Sequence, residues 1–407
     1  MKKIYLDYAA TTPVDKDVLK TVLPYFSKKF GNAMSIHSFG QEALRAVDKA
    51  RQQVANFLNC SSSEIIFTSG ATESNNLAIK GVALSYRAKF NSKADGRPHI
   101  ITTPFEHHCV LDACKALEKG EQIELSYLPV YKEGIVKIDD IRKLIKKNTI
   151  LVSVMYVNNE IGTLQPIAEI GKLIKKVNSG RKENKFPLLF HTDGTQGINY
   201  FDSNVEKLSV DLLSFSGHKI YSPKGIGVLY IRKNSPIRRI QDGGDQEFKM
   251  RAGTHNVSGI VGIGKAIEIL GKNKEKDAKK IRSLRDRLIK KVLEEIPNSH
   301  LNGSLEKRSP NNANFRFDGV EGEGLVLSLD MEGVAASTGS ACSSGALEPS
   351  HALLAIGLKP EQAYGSLRLS LSKFTTKKEI DEAIKILKKI IKHLRQISGS
   401  VLKEFES

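Results

Sequence analysis

The chain has 407 residues, 40% of them hydrophobic and 26% charged, the balance of an ordinary soluble globular protein large enough for one big domain with a smaller one attached. No apolar run approaches the roughly 20 residues needed to cross a bilayer, and Met1-Lys2-Lys3-Ile4-Tyr5-Leu6-Asp7 is too short an apolar stretch for a secretory signal, so a soluble, cytoplasmic protein without membrane contact is expected. The formal net charge of +17 raises nucleic-acid binding, but the basic residues are interleaved with acids, as in Lys272-Asn273-Lys274-Glu275-Lys276-Asp277. With no dense basic tail, zinc-finger spacing or RNA-binding aromatic motif, direct nucleic-acid binding is not expected.

Short apolar runs alternate with longer stretches of helical periodicity, the pattern of an α/β protein. Ile65–Thr68 reads as a strand, followed by a Ser69-Gly70 turn and a helix from about Ala71 to Ala83. His99–Thr102 is a second strand, with a helix after Glu106 through Leu117. Ile123–Leu128 alternates as a half-exposed strand does, whereas Thr149–Met155 is nearly continuous apolar, as a buried parallel strand is. The apolar run Phe186–Phe190 leads into His191-Thr192-Asp193, and Asp211–Phe215 and Gly227–Ile231 complete the strands. A long charged amphipathic helix occupies about 260–296, and a Lys-rich helix runs from about Lys377 to Ile397. The segment Ser337–Ala346, rich in Ser, Gly and Ala, is expected to be a mobile loop.

Three segments carry chemistry. In Ser69-Gly70-Ala71-Thr72-Glu73 a glycine turn opens a helix, whose free N–H groups and dipole suit a phosphate; a capping box accounts for the same residues more simply. Ser216-Gly217-His218-Lys219 follows an apolar strand and precedes Ser222-Pro223-Lys224-Gly225. A lysine desolvated there is a candidate Schiff-base amine. His191–Gln196 ends another apolar strand, and Asp193 there could pair with a pyridinium nitrogen at the strand ends where open α/β sheets hold ligands; as a turn residue or helix cap it would need no ligand. Four cysteines in a chain this long do not form a disulfide framework. Cys60, Cys109 and Cys114 read as small buried hydrophobes, and Cys342 stands apart in the small-residue loop.

Together these segments resemble the cysteine desulfurases of the iron–sulfur-assembly type (NifS/IscS-like), in the class V aminotransferase group of fold-type I pyridoxal-phosphate enzymes. The resemblance covers Tyr5–Pro13, Phe67–Lys80, Glu106-His107, Val157–Gly162, Asp193–Gln196, Phe215–Gly227, Arg251–Thr254, Gly339–Ser344, Leu347–Ser350 and Ser366–Arg368. It implies a large domain over 16–260 with a mostly parallel seven-stranded sheet between helices. Residues 1–15 and 261–407 would form a smaller α+β domain carrying the catalytic loop, about 333–350. It also implies the cofactor pyridoxal 5'-phosphate, with Lys219 condensed to its aldehyde and His107 stacked on its ring. Asp193 would face the ring nitrogen and Gln196 the phenolic oxygen, while Ala71, Thr72, Ser216 and His218 hold the phosphate. Thr254 would reach the partner subunit's phosphate in an obligate homodimer, and Asn159 and Arg368 would bind the substrate carboxylate.

Cys342 would be the nucleophile that converts L-cysteine to L-alanine and keeps the sulfur as a persulfide for an iron–sulfur scaffold protein or a sulfur carrier, with transfer-RNA thiolation a further use. The resemblance implies no resident metal, and Cys342 as a transient ligand of a cluster shared with a partner. The loop's length, with Leu347-Glu348-Pro349-Ser350 after it, resembles the long-loop group. Selenocysteine lyases, aminotransferases and kynureninases share the scaffold; the last two need no thiol. A basic scaffold protein that kept the fold without chemistry would not be expected to retain Lys219, Asp193, His107 and Cys342. One departure is Gly31-Asn32-Ala33-Met34-Ser35-Ile36-His37, where the family carries Gly-Asn-Pro-Ser-Ser-x-His. Losing the proline relaxes the backbone locally. Gly194 also stands where alanine is common.

Overall fold

The computed structural model describes residues 3–89, 96–181, 186–338 and 349–405. Its strands are β1 (Ile4–Tyr5), β2 (Ile65–Thr68), β3 (His99–Thr102), β4 (Glu124–Tyr127), β5 (Thr149–Ser153), β6 (Leu189–Asp193), β7 (Leu212–Ser216), β8 (Gly227–Ile231), β9 (Ser299–Leu301), β10 (Asn312–Phe317), β11 (Val334–Ala335) and β12 (Ser366–Ser370). Seven of them form the main sheet in the order β2-β8-β7-β6-β5-β3-β4. Only β8 runs antiparallel to its neighbours, so the mostly parallel sheet expected from the sequence is present.

Side-chain alternation along each strand divides the core between the two faces of this sheet. Phe67, Ile101, Val152, Phe190, Leu213 and Val228 face one side, where helices Ser38–Leu58 and Ile167–Gly180 cover them. Ile66, Ile100, Leu151, Leu189, Leu212 and Leu229 face the other, under helices Ala71–Lys89 and His108–Lys119. Both faces are dry, which is why these strands read as unbroken apolar runs rather than alternating ones. Strand β4 at the edge keeps intermediate exposure, as its alternation implied.

A second core gathers around the antiparallel trio β12-β10-β9 and the parallel pair β1-β11. One helix, Val257–Glu295, serves both cores. Its first turns bury Ile260, Ile263 and Ile267 in the first, and its later turns bury Ile281, Leu288 and Val292 in the second. Asn256 caps it by accepting from the Gly259 amide, and it crosses Ser38–Leu58 so closely that a Cβ on Gly264 would lie 2.7 Å from that of Ala50. Helix Lys377–Phe405 closes the second core.

The Gly31–His37 segment keeps a defined turn without the proline. The Asn32 side chain accepts from the Met34 amide at 3.0 Å, its carbonyl accepts from Ser35 at 2.9 Å, and His37 caps the next helix through Nδ1.

Candidate active site

Strands β2, β3, β5, β6 and β7 point their carboxyl ends at a single cavity of about 500 Å³. Ser69–Glu73 follow β2, His107–Cys109 follow β3, Asn159 and Glu160 follow β5, Asp193–Gln196 end β6, and Ser216–Lys219 end β7; all but Gly194 and Gly217 line it. Arg368 arrives from β12 of the second core. The cavity thus unites Ala71, Thr72, His107, Asn159, Asp193, Gln196, Ser216, His218, Lys219 and Arg368. Thr254 lies outside it, exposed on the surface. Cys342 lies outside the described residues, but both flanks of its segment are anchored at this site. Ser337 exchanges two backbone hydrogen bonds with Arg368, and the Ser350 hydroxyl donates to Glu160.

One end of the cavity is built for an anion. The turn after β2 lies flat on β8, where a Cβ on Gly227 would come 2.5 Å from the Gly70 carbonyl carbon. The helix begins at Ala71, leaving first-turn amides without intrahelical acceptors. Glu73 reaches back to the Ser69 amide at 2.7 Å, and Arg251 and Ser69 hold it below the usual carboxylate range against its burial. The Thr72 and Ser216 hydroxyls and the His218 ring complete the donor set. Burial, with Lys219 and Lys224 nearby, pushes His218 down to about 4. It is neutral and donates from one nitrogen only.

Lys219 closes a single 3-10 turn, Gly217–Lys219, pinned by the Gly217 amide donating to Ile226. Its Nζ donates to the carbonyls of Ala9 and Ala10, both at 2.6 Å. Gln196 donates to the same Ala9 carbonyl at 3.0 Å. Asp193 accepts from the Thr195 amide at 2.9 Å and from the Asn75 side chain at 2.7 Å. Under it, the wholly buried His191 bridges Ser153 and Ser214, and burial holds the ring down at about 4. Arg368 donates to Asp7 at 2.9 Å and to the Asn159 carbonyl at 3.0 Å, while its buried Nε has no hydrogen-bond partner among the described residues. A two-donor guanidinium in that setting suits a carboxylate.

Sequence reasoning passed over several groups. Cys109, read as a structural thiol, lines the cavity instead, its sulfur 3.0 Å from His107 Nδ1 and 3.1 Å from Asn75 Nδ2. Its place two residues after His107 at a helix start was the available signal. Glu106 is wholly buried and pushed up to about 8; Glu160 is pushed up to about 7, again by burial. Behind the β2 turn, Glu247 binds Arg51 through both oxygens and also His255.

Arg51, the Phe67 amide and His255 outweigh burial and pull Glu247 down to about 2. A depressed carboxylate stabilises the fold above its unfolded pKa near 4.5 and loses that contribution as pH falls toward 2. The shift corresponds to about 3 kcal/mol. Glu247→Ala leaves Arg51 charged and buried, and should cost about 3–5 kcal/mol, visible as a lowered denaturation midpoint. The deficit should shrink as the pH of the melt is lowered; a constant deficit from about pH 7 to about pH 3 would refute this account.

The residues present fit pyridoxal phosphate. The anion cradle, the carboxylate opposite, the flat imidazole and the primary amine surround one cavity, and the cradle's donors suit a phosphate group. A family model, aminotransferase class-V, matches residues 4–383. A cysteine desulfurase IscS of Dictyoglomus turgidum is 48% identical over 397 residues, spanning 98% of this chain and 96% of the relative. Among solved structures, a NifS-like protein superposes with a TM-score of 0.87 at 37% identity, covering 96% of this chain and all of the other. SspA, solved in complex with cysteine, gives 0.77 at 35% identity over 92% of this chain and all of SspA. The chain belongs to the aminotransferase class-V family, and within it to the pyridoxal-phosphate-dependent cysteine desulfurases of the IscS type.

Proposed function

We propose that this chain converts L-cysteine to L-alanine and retains the sulfur as a persulfide on Cys342 for transfer to acceptor proteins. The observation that carries this reading is the convergence of Lys219, Asp193, His107 and Arg368 on one cavity, with both flanks of the Cys342 segment tied to the same wall.

When bound, pyridoxal phosphate supplies an electron-withdrawing ring that labilises bonds at the substrate's α- and β-carbons. The chain supplies the rest. Ala71, Thr72, Ser216 and His218 would hold the phosphate, and Asp193 would keep the ring nitrogen protonated. Gln196 serves the phenolic oxygen, and Lys219 gives up its two carbonyl partners to offer its amine. Arg368 and Asn159 orient the substrate carboxylate, which fixes the sulfur relative to the thiol that takes it. His107, which lines the cavity, would lie against the ring and move protons. The segment around Cys342 is made of Ser, Gly and Ala, a composition suited to carrying a persulfide from a closed cavity to another protein.

The active unit is a homodimer in which Thr254, exposed on the isolated chain, meets the partner's phosphate. Large apolar side chains left exposed at the first helices, Phe26, Phe30, Ile36 and Phe39, support a covered face there. We assign residues 16–260 to the cofactor-binding domain and 1–15 with 261–407 to the smaller one. The sulfur passes to an iron–sulfur scaffold or a sulfur carrier and, through such carriers, to transfer-RNA thiolation. We place this activity in the cytoplasm; among the described residues no helix is long and apolar enough to cross a membrane.

Incubation of the holoenzyme with L-cysteine should yield alanine and sulfide in equal amounts when a thiol reductant discharges the persulfide. Pyruvate or another keto acid as the main product would sink the desulfurase reading and favour amino-group transfer on the same scaffold.

A further inference from the structure

The Asp193 carboxylate sets the direction of a chain of hydrogen bonds that ends at His107. A carboxylate only accepts, so the Asn75 group 2.7 Å from Oδ2 is its NH2; the flipped amide would set oxygen against oxygen. That nitrogen carries two hydrogens. The second is directed at the Cys109 sulfur, 3.1 Å away. Burial pushes the thiol up to about 12, so it stays protonated. Its sulfur already accepts from Asn75, and its own hydrogen has His107 Nδ1 at 3.0 Å. The Cys109 backbone amide, which can only donate, also points at Nδ1 at 3.2 Å, because His107 caps this helix. Two donors on one ring nitrogen leave it no room for a hydrogen. Nδ1 is bare, and in the neutral ring the hydrogen sits on Nε2.

We propose that Cys109, with Asn75, is a positioning residue that ties Asp193 to His107 and holds the imidazole in its Nε2–H form, so that His107 exchanges protons with substrate at Nε2 alone. This deepens the reading of Asp193 and His107 as the groups flanking the cofactor ring, and rests on it. Burial holds His107 below the ordinary histidine value, with Lys219 and His108 adding to it against Asp193 and Asp112; donors to Nδ1 favour the same neutral ring. Other charged and titratable groups facing it are Asp193 and Lys219 across the cavity, His108 and Asp112 on its own helix, and His351 from the helix that follows Ser350.

The test uses holoenzyme labelled with 15N-histidine, with the His107 signals assigned by their loss in His107→Gln. In the parent, Nδ1 should give the signal of an unprotonated nitrogen and Nε2 that of a protonated one. Cys109→Ala removes one donor. The acidic limb of its kcat–pH profile should move to higher pH, with kcat at about pH 7 lowered roughly 3–10-fold, the worth of one hydrogen bond. Cys109→Ser, which restores an O–H donor, should bring the limb back. A protonated Nδ1 in the parent, or an alanine variant whose limb stays in place while kcat falls, would overturn the proposal. The tautomer can also be read in the same protein stripped of cofactor, so an error in the cofactor assignment would leave this readout intact and be recognised separately.

Discussion

Lys219→Ala should abolish turnover and remove the bound-cofactor absorbance near the visible edge. The parental enzyme should show that band and lose it on borohydride reduction. The expectation rests on what an amine on this particular turn can do. Nζ is held by two backbone carbonyls at 2.6 Å, contacts that fix its position in the cavity, where an aldehyde can take their place. Among the described residues, no other lysine combines a strand-end turn in the cavity with Asp193 and His107 around it; Lys224, which also lines the cavity, belongs to the exposed turn that follows. Lys219→Arg is the sharper control. A guanidinium can occupy the same carbonyls but stays protonated and does not condense with an aldehyde at neutral pH. It should therefore fold normally and be as inactive as the alanine variant. Full activity in either would end the proposal for this site.

Cys342→Ser should bind cofactor and cysteine normally yet release almost no sulfur, a loss on the order of 10³-fold or more, as when other enzymes lose their nucleophile. A serine hydroxyl has neither the accessible anionic form nor the affinity for sulfur that a thiolate has. After a single turnover, mass spectrometry of the peptide containing residue 342 should find one added sulfur in the parent and none in the variant. Sulfide at the parental rate from Cys342→Ser would place the sulfur-accepting step elsewhere. Cys109 would not be the substitute, because desolvation keeps its thiol protonated and it is committed to Asn75 and His107.

Much of the sheet was legible because a strand dry on both faces has little choice of residue. Ile65–Thr68 and His99–Thr102 stand where their apolar runs put them. Runs that overshot did so for physical reasons. Thr149–Met155 is nearly continuous apolar, but pairing stops at Ser153 and Met155 leaves the sheet to line the cavity. Phe186 is buried in the core, although the strand begins only at Leu189. Helix Ala71–Lys89 continues well past Ala83, its expected end. No glycine or proline stops it there, and Tyr86, almost a turn further on, is buried in the same core as Val82 and Ala83. The cavity-lining residues at strand ends could be named from motif chemistry and resemblance together. Those that act through another side chain could not. Asn75 sits one turn into its helix, and its value depends on the two elements it touches, 34 and 118 residues away. The pair β1-β11 is two residues deep, too short for any periodicity to announce.

That short pair has a consequence for how the protein is made. Ile4 and Tyr5 lie beside Val334 and Ala335, Leu6 and Tyr8 bond Ser370, and Ala9 and Ala10 hold Lys219. This early segment therefore has no resting place until the ribosome has delivered stretches hundreds of residues downstream. The large sheet can form sooner from neighbouring segments, but the pocket is completed by contacts of very high sequence separation, the slowest kind to close. Vitamin loading thus waits for those late stretches, and a chain truncated before them would be left with a sheet but no finished pocket.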